Sequence, residues 1–345
     1  MSSAQPAGPT RPTTTAAADT ATTTAADTAT GGSATATGTA EVVPPARQRR
    51  HTLYFLDEIR SFAPVHLDTE VDMAAVLAHR AAARSDGTRY SLVSYVLLTA
   101  GRVLARHPEA NAAIRGRLRP RVARYPSVAG KLVLDRRLDG RRVVLATVVP
   151  DLDRADLDTV QQQIDHHRGE DASARPEVAP LRRLHRLHPV LGLLAYRATV
   201  RPLRARAGRI GTFAVSSLGH APVDGFHSVG GTTITLGVGR VVDRVVARDG
   251  RPAVAPVLRL NLTFDHRVVD GAEAAEVLGG IKQALEEFPV YLPPGATSSA
   301  GLTADGGTGG TEGGGATAAT AGSTGPAATD DSAAADATGP AVTAR

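Results

Sequence analysis

His266 and Asp270 stand four residues apart in Asp265-His266-Arg267-Val268-Val269-Asp270-Gly271, and in this 345-residue chain they are the pair best suited by type and spacing to move a proton. An imidazole titrates near neutral pH, so it can take a proton from a nucleophile and return it to a leaving group. The spacing is also short enough to arise by chance, and a histidine satisfied by local hydrogen bonds would look the same. The flanking elements say where the pair is mounted. Leu258, Leu260, Leu262 and Phe264 alternate with Arg259, Asn261 and Thr263, which predicts a half-buried strand. The period then changes. Ala272, Ala275, Leu278, Ile281, Leu285 and Phe288 recur at three- and four-residue steps among charged residues, which predicts an amphipathic helix. Asp270 falls at its N-cap, where a carboxylate can satisfy free amides. His266 is therefore expected in a strand-to-helix turn.

The segment Asp-His-Arg-Val-Val-Asp-Gly-Ala, residues 265–272, resembles the active-site signature of the 2-oxo acid dehydrogenase acyltransferases, the dihydrolipoamide acyltransferase core components. Gly211-Thr212-Phe213-Ala214-Val215-Ser216-Ser217-Leu218-Gly219 resembles a second family block and stands about fifty residues earlier, as the family pattern requires. His107-Pro108-Glu109-Ala110-Asn111-Ala112 is similar to a third, looser block. The resemblance covers residues 45–292. It implies an α/β fold, a two-layer sandwich of the chloramphenicol acetyltransferase-like type with a mixed sheet packed with helices. It also implies transfer of an acyl group between coenzyme A and a dihydrolipoyl thiol. Such chemistry needs a base to make the thiolate, a donor for the oxyanion, and exclusion of water. By the resemblance, His266 is the base, Ser216 the oxyanion stabiliser, and Asp270 the residue that orders the turn. Gly271 would permit the sharp start of the helix. The family site lies between subunits of a homotrimer, with histidine and serine from neighbouring chains.

The sequence also departs from the family. It has no Asp-Lys-Ala lipoylation site, and Lys131 sits in Ala-Gly-Lys-Leu-Val-Leu. A lipoyl group is expected in trans, from a lipoyl-carrying protein, with dehydrogenase subunits as further partners. Arg136-Arg137-Leu138-Asp139-Gly140-Arg141-Arg142 replaces the family's Pro-Arg-Gly-Leu segment, and Ser228-Val229-Gly230-Gly231 replaces its Asn-Pro-Pro. Residues 169–208 are longer and more basic than the family norm. A catalytically idle paralogue that scaffolds a dehydrogenase complex, or a coenzyme A-dependent enzyme with an alcohol or amine acceptor, stays open beside the main reading.

Composition sets the boundaries. Residues 1–44 and 296–345 are almost entirely Ala, Thr, Gly, Ser, Asp and Pro without hydrophobic periodicity, and disordered tails are expected there. Residues 45–295 are expected to form one catalytic domain, long enough for a sizeable core. No stretch approaches 18 uninterrupted apolar residues, so no membrane span is expected. The N-terminus lacks a basic start followed by an apolar run, so no secretory leader is expected either. Cysteine is absent, which excludes disulfides, thiolate metal sites and a cysteine nucleophile. A cytoplasmic protein is the simplest account.

The net charge of +5 is unevenly spread, because the N-terminal tail is −2 and the C-terminal tail −4. The basic core owes its charge to arginine, since Lys131 and Lys282 are the only lysines. That charge suits the phosphates of coenzyme A and would equally suit nucleic acid or an acidic partner; coenzyme A is the partner expected here, and no nucleic acid. A solvated basic surface would carry the same arginines.

The rest of the chain supplies the frame. Helices are predicted over 46–60, 73–84, 92–106 with Ser91 as N-cap, and 151–166. Strands are predicted over 64–72, 143–149 (buried), 210–216 and 232–242, with a turn at Asp249-Gly250. Arg182 to Arg206 reads as a surface helix pair with snorkelling arginines, a membrane-surface or partner-binding role being the weaker alternative. Gly237-Val238-Gly239 is too incomplete for a dinucleotide loop. His166-His167 and His185-x-x-His188 have ligand-like spacing, but no carboxylate completes a set, so no metal is expected. A bare trimer is expected, because the acidic tail follows the helix whose end joins trimers into cages in the family.

Overall fold

The computed structural model describes residues 40–167 and 178–290. The predicted tails lie almost wholly outside these residues, as does part of the long 169–208 segment. The centre is a six-stranded mixed sheet in the order β1-β8-β7-β6-β4-β5. Its strands are β1 (Pro64–Asp72), β4 (Gly130–Leu138), β5 (Arg141–Val149), β6 (Phe213–Ser217), β7 (Ile234–Arg248) and β8 (Arg251–Asp265). β4, β6 and β7 run parallel, while β1 and β7 flank β8 antiparallel and β5 pairs antiparallel with β4. A separate hairpin joins β2 (Ala112–Arg115) to β3 (Arg121–Arg124).

One face of the sheet carries α2 (Ala74–Ser85), α3 (Leu92–Leu104), α4 (Leu157–His166) and α8 (Gly271–Glu286). Leu97, Leu98, Val103, Val277, Ile281 and Leu285 from this layer are fully buried with Leu132, Phe213, Leu236, Leu260, Leu262 and Phe264 from the strands. This is the expected two-layer sandwich: a sheet with one apolar face covered by amphipathic helices. Ser91 caps α3 as predicted, its side chain accepting the Ser94 amide.

The second face is covered as well. α1 (Arg50–Ile59) places the Phe55 ring against Lys131, whose Nζ lies 4.6 Å from the ring centroid. The segment around 222–231 crosses β7, and the Gly237-Val238-Gly239 run explains how. A side chain on Gly237 would collide with the Phe226 carbonyl, and one on Gly239 with the Asp224 carbonyl. These glycines admit a crossing backbone. The cover also corrects the half-buried expectation for 258–264. Asn261 and Thr263, on the polar face, are buried at 2% and 4% exposure.

Other boundaries moved for local reasons. The predicted 210–216 strand starts only at Phe213, because Ile210 ends α7 (Leu203–Ile210) and Gly211 turns the chain at φ +81°. The helix predicted from 151 starts at Leu157, where Asp156 accepts the Thr159 amide at 2.7 Å. β5 is a sheet edge that leaves Val144 exposed, not a buried strand. Arg182 to Arg206 holds three helices in place of a pair: α5 (Ala179–Arg186), α6 (Pro189–Val200) and α7.

Candidate active site

β8 delivers His266 to the turn before α8, as its alternation predicts. The backbone there is firmly held: the His266 amide donates to the Ala63 carbonyl at 2.9 Å. Asp265, only 2% exposed, accepts from the Ala63 amide at 3.3 Å and from Arg267 Nε at 2.8 Å. The Arg267 guanidinium lies 5.0 Å from the Phe62 ring centroid. Asp265 and Arg267 thus clamp the residue between them. Sequence reasoning missed this pair, although a charged residue closing an apolar alternation was the available signal.

The imidazole itself stays accessible, with 45% of its side chain exposed. Its ring stacks at a tilt on Phe264, 5.3 Å between centroids. Asp270 Oδ1 lies 3.6 Å from His266 Nδ1, a charge contact too long for a good hydrogen bond. Asp270 does occupy the N-cap position of α8, but its side chain makes no capping hydrogen bond. The predicted cap is therefore correct in place and not in bonding. The carboxylate, 91% exposed, faces the histidine and solvent. Gly271 has no left-handed backbone, and a Cβ there would meet nothing within 4 Å, so the expected need for glycine does not arise within this chain.

Ser216 is elsewhere. It lies on β6, paired with Gly237 of β7, which pairs with Asn261 of β8. Two strand spacings across and five residues along put it roughly 19 Å from His266. One chain brings His266 and Asp270 together and leaves Ser216 apart. Ser216 and Ser217 line a cavity of about 750 Å³ whose apolar wall includes Leu132, Leu134, Val143 and Ile164. Arg49, Arg136, Arg142 and His220 stand at the same cavity. Ser217 Oγ accepts the Gly219 amide at 3.4 Å, whereas the Ser216 hydroxyl makes no hydrogen bond among the described residues.

A second cavity of about 760 Å³ adjoins the histidine turn and is lined by Phe62, Asp265 and Arg267 together with Arg60, Arg115 and Arg117. Glu58 bridges Arg115 and Arg201 at its wall. Burial opposes the Glu58 charge, but hydrogen bonds from the two arginines hold its carboxyl below the usual range.

Of the histidines with ligand-like spacing, His185 Nε2 meets His51 Nδ1 at 3.0 Å, and the His166 and His167 rings meet edge to face. Sequence reasoning did not group His107, Glu273 and Glu276, whose ligating atoms lie within 4.8 Å of one another. His107 Nδ1 and Glu273 Oε1, 2.9 Å apart, already satisfy each other.

The fold is similar to that of solved dihydrolipoamide acetyltransferase cores. Residues 188–292 match the family model for the catalytic domain of 2-oxoacid dehydrogenases acyltransferase, which bears out the resemblance read in the sequence. The chain is 25% identical over 263 residues to a dihydrolipoyllysine-residue acetyltransferase component of the Staphylococcus aureus pyruvate dehydrogenase complex, covering 73% of this chain and 52% of that one. It thus spans about half the length of that relative. The corresponding Bacillus subtilis component is 46% identical over a short stretch of 57 residues, 16% of this chain and 13% of that one. The solved Azotobacter vinelandii dihydrolipoamide acetyltransferase superposes with a TM-score of 0.56 at 21% identity, covering 74% of this chain and 95% of that one. A probable dihydrolipoamide acetyltransferase from Listeria monocytogenes gives 0.53 at 19% identity, with 72% and 95% covered.

Proposed function

We infer that this chain is an acyltransferase that moves an acyl group between coenzyme A and a thiol, with dihydrolipoyl as the acceptor. The observation that carries the reading is the clamped, accessible His266 with Asp270 on its Nδ1 side, inside a matched family segment. Nδ1 faces Asp270, so Nε2 is left for the substrate. The thiol gives its proton to Nε2, and the thiolate forms a new C–S bond to the thioester carbonyl. The Ser216 hydroxyl donates to the resulting oxyanion. Collapse breaks the old C–S bond, and the leaving thiolate takes the proton back from His266. The Azotobacter relative was solved to define the roles of a serine, a histidine and an asparagine in its mechanism. There the asparagine follows the histidine by four positions, where Asp270 stands here.

Because Ser216 lies far from His266 in one chain, a homotrimer with each site between two chains is part of the proposal. Coenzyme A enters as substrate, and the arginine-lined cavity beside the histidine turn suits its phosphates. Residues 45–295 form the catalytic domain, between tails at 1–44 and 296–345. A lipoyl-bearing domain outside residues 45–295 presents the acceptor thiol, and dehydrogenase subunits are the expected associates. A cytoplasmic location is part of the same reading.

A second reading keeps the chemistry and changes the acceptor to an alcohol or amine. What favours it is that Arg136 and Arg142, from the segment that departs most from the family, line the Ser216 cavity. Acyl transfer from acetyl-coenzyme A to dihydrolipoamide, set against a panel of alcohols and amines, tests both. Turnover with dihydrolipoamide at least tenfold above every other acceptor supports the first reading, and the reverse order supports the second.

A further inference from the structure

Residues 178–210 contain eight arginines and neither aspartate nor glutamate. Within this run α6 is apolar almost all round, with Arg197 its only charged residue. A helix of that kind is normally enclosed. Here only one side is. Gly192 sits so close to Tyr54 of α1 that a Cβ would come within 2.6 Å of the hydroxyl, and Tyr54 Oη donates to the Pro189 carbonyl at 3.1 Å. Arg197 reaches Asp57 at 2.6 Å on the same side. Opposite lie Val190, Leu191, Leu194, Ala195 and Ala198, all exposed. At about 100° per residue they fill an unbroken arc of roughly 140° without one polar side chain. Val190, Leu191 and Leu194 are each more than half exposed, at 59%, 56% and 55%. Leu53 and Leu56 of the adjoining α1 are exposed too.

Cations flank this face at both ends. Arg183 and Arg186 precede the helix and Arg204 follows it, all exposed and without an ion pair among the described residues. Among the described residues, the acidic groups close by are committed: Asp57 and Glu58 to Arg197 and Arg201, Asp139 to Arg182. Apolar side chains in the middle with arginines at the margins match an interfacial helix, which buries its face at the acyl boundary while cations meet anionic headgroups. A second copy of the chain would bring arginine against arginine. No helix among the described residues is long and apolar enough to cross a membrane, and α6, with 12 residues, is too short to span one, so the contact proposed for α6 lies in the interface.

We propose that α6 and its flanking arginines form a docking surface for an anionic lipid bilayer. The test is co-sedimentation of the full chain with vesicles of phosphatidylcholine alone and with added phosphatidylglycerol. Binding is expected only to the anionic vesicles, and it weakens as salt rises. Leu191→Asp with Leu194→Asp, and separately Arg183→Glu with Arg186→Glu, should each weaken binding at least about tenfold. Because these side chains are exposed, both variants should keep the wild-type melting temperature and acyl-transfer rate. His266→Ala should bind vesicles as wild type does, which separates this proposal from the catalytic one. Failure of the wild type to bind anionic vesicles overturns it, as does undiminished binding by both double variants. A fall in oligomer mass for the leucine variant without lipid would overturn it in favour of an interface between copies.

Discussion

Ser216 and Ser217 are adjacent, yet only Ser217 is engaged by its own loop. Ser216→Ala should lower kcat about a hundredfold with KM little changed, the loss expected for one oxyanion donor. Ser217→Ala should leave kcat within a few-fold of wild type, and steady-state kinetics on the two variants checks the assignment. Asp270→Asn should retain most activity, since a carboxamide of the same reach can hold the His266 turn; a loss as large as that of His266→Ala would give the carboxylate a proton-transfer role. His266 was legible from the sequence because the elements that deliver it to its turn are local: the alternation of 258–264, the change of period, and the aspartate at the helix start. Asp265 and Arg267 were not, because their value lies in contacts with Ala63 and Phe62, two hundred residues back. Nor was the missing cap of Asp270, since N-cap position and N-cap bonding coincide in sequence and separate only in space.

At the scale of elements, the crossing of β7 by the 222–231 segment depends on two glycines. Gly237→Ala should destabilise by about 1–3 kcal/mol, because backbone atoms on both sides cannot yield; thermal unfolding measures this, and an unchanged midpoint would contradict the packing. A second junction ties α5 to α1 and the sheet edge. His51 bonds His185 and, through Nε2, lies 2.9 Å from the Val144 carbonyl. Burial, then the neighbouring His51 and Arg50, lower the His185 pKa from 6.5 to about 4. The folded state therefore favours neutral His185. Its contribution is full above pH 6.5, and falls as the unfolded chain takes up the proton first, until the folded protein titrates near pH 4. Denaturant unfolding at pH 7 and pH 4.5 should show a smaller drop in His185→Gln than in wild type, the difference being on the order of 2–3 kcal/mol. Equal drops would remove His185 from the acid sensitivity. β8, which puts Leu258, Leu260, Leu262 and Phe264 into the core, was readable from alternation, as was the mostly half-buried β1. β4 was not, because Arg136 and Arg137 break its pattern where it leaves the core, and the second cover over Asn261 and Thr263 comes from a segment without periodicity.

For the whole molecule, the proposed mechanism makes the oligomer part of the chemistry, because Ser216 and His266 lie far apart in one chain. Light scattering should give three times the chain mass of 35.6 kDa; a megadalton particle would contradict a bare trimer. Mixed oligomers made by co-expressing Ser216→Ala with His266→Ala should regain activity at about a quarter of the sites, since an interface then works only when it joins one chain of each kind. Neither variant alone should do so. Activity that stays absent from such mixtures would place the whole site within one chain. The two-layer fold was legible through its resemblance to a family, whereas the apolar outer face of α6 was visible only once Tyr54 fixed which side turns inward. The most direct measurement is the release of coenzyme A from acetyl-coenzyme A in the presence of dihydrolipoamide, with wild type and His266→Ala compared at the same oligomeric state. The variant should be slower by about a hundredfold or more. Equal rates would remove His266 from the chemistry and leave a scaffold with an acyltransferase fold.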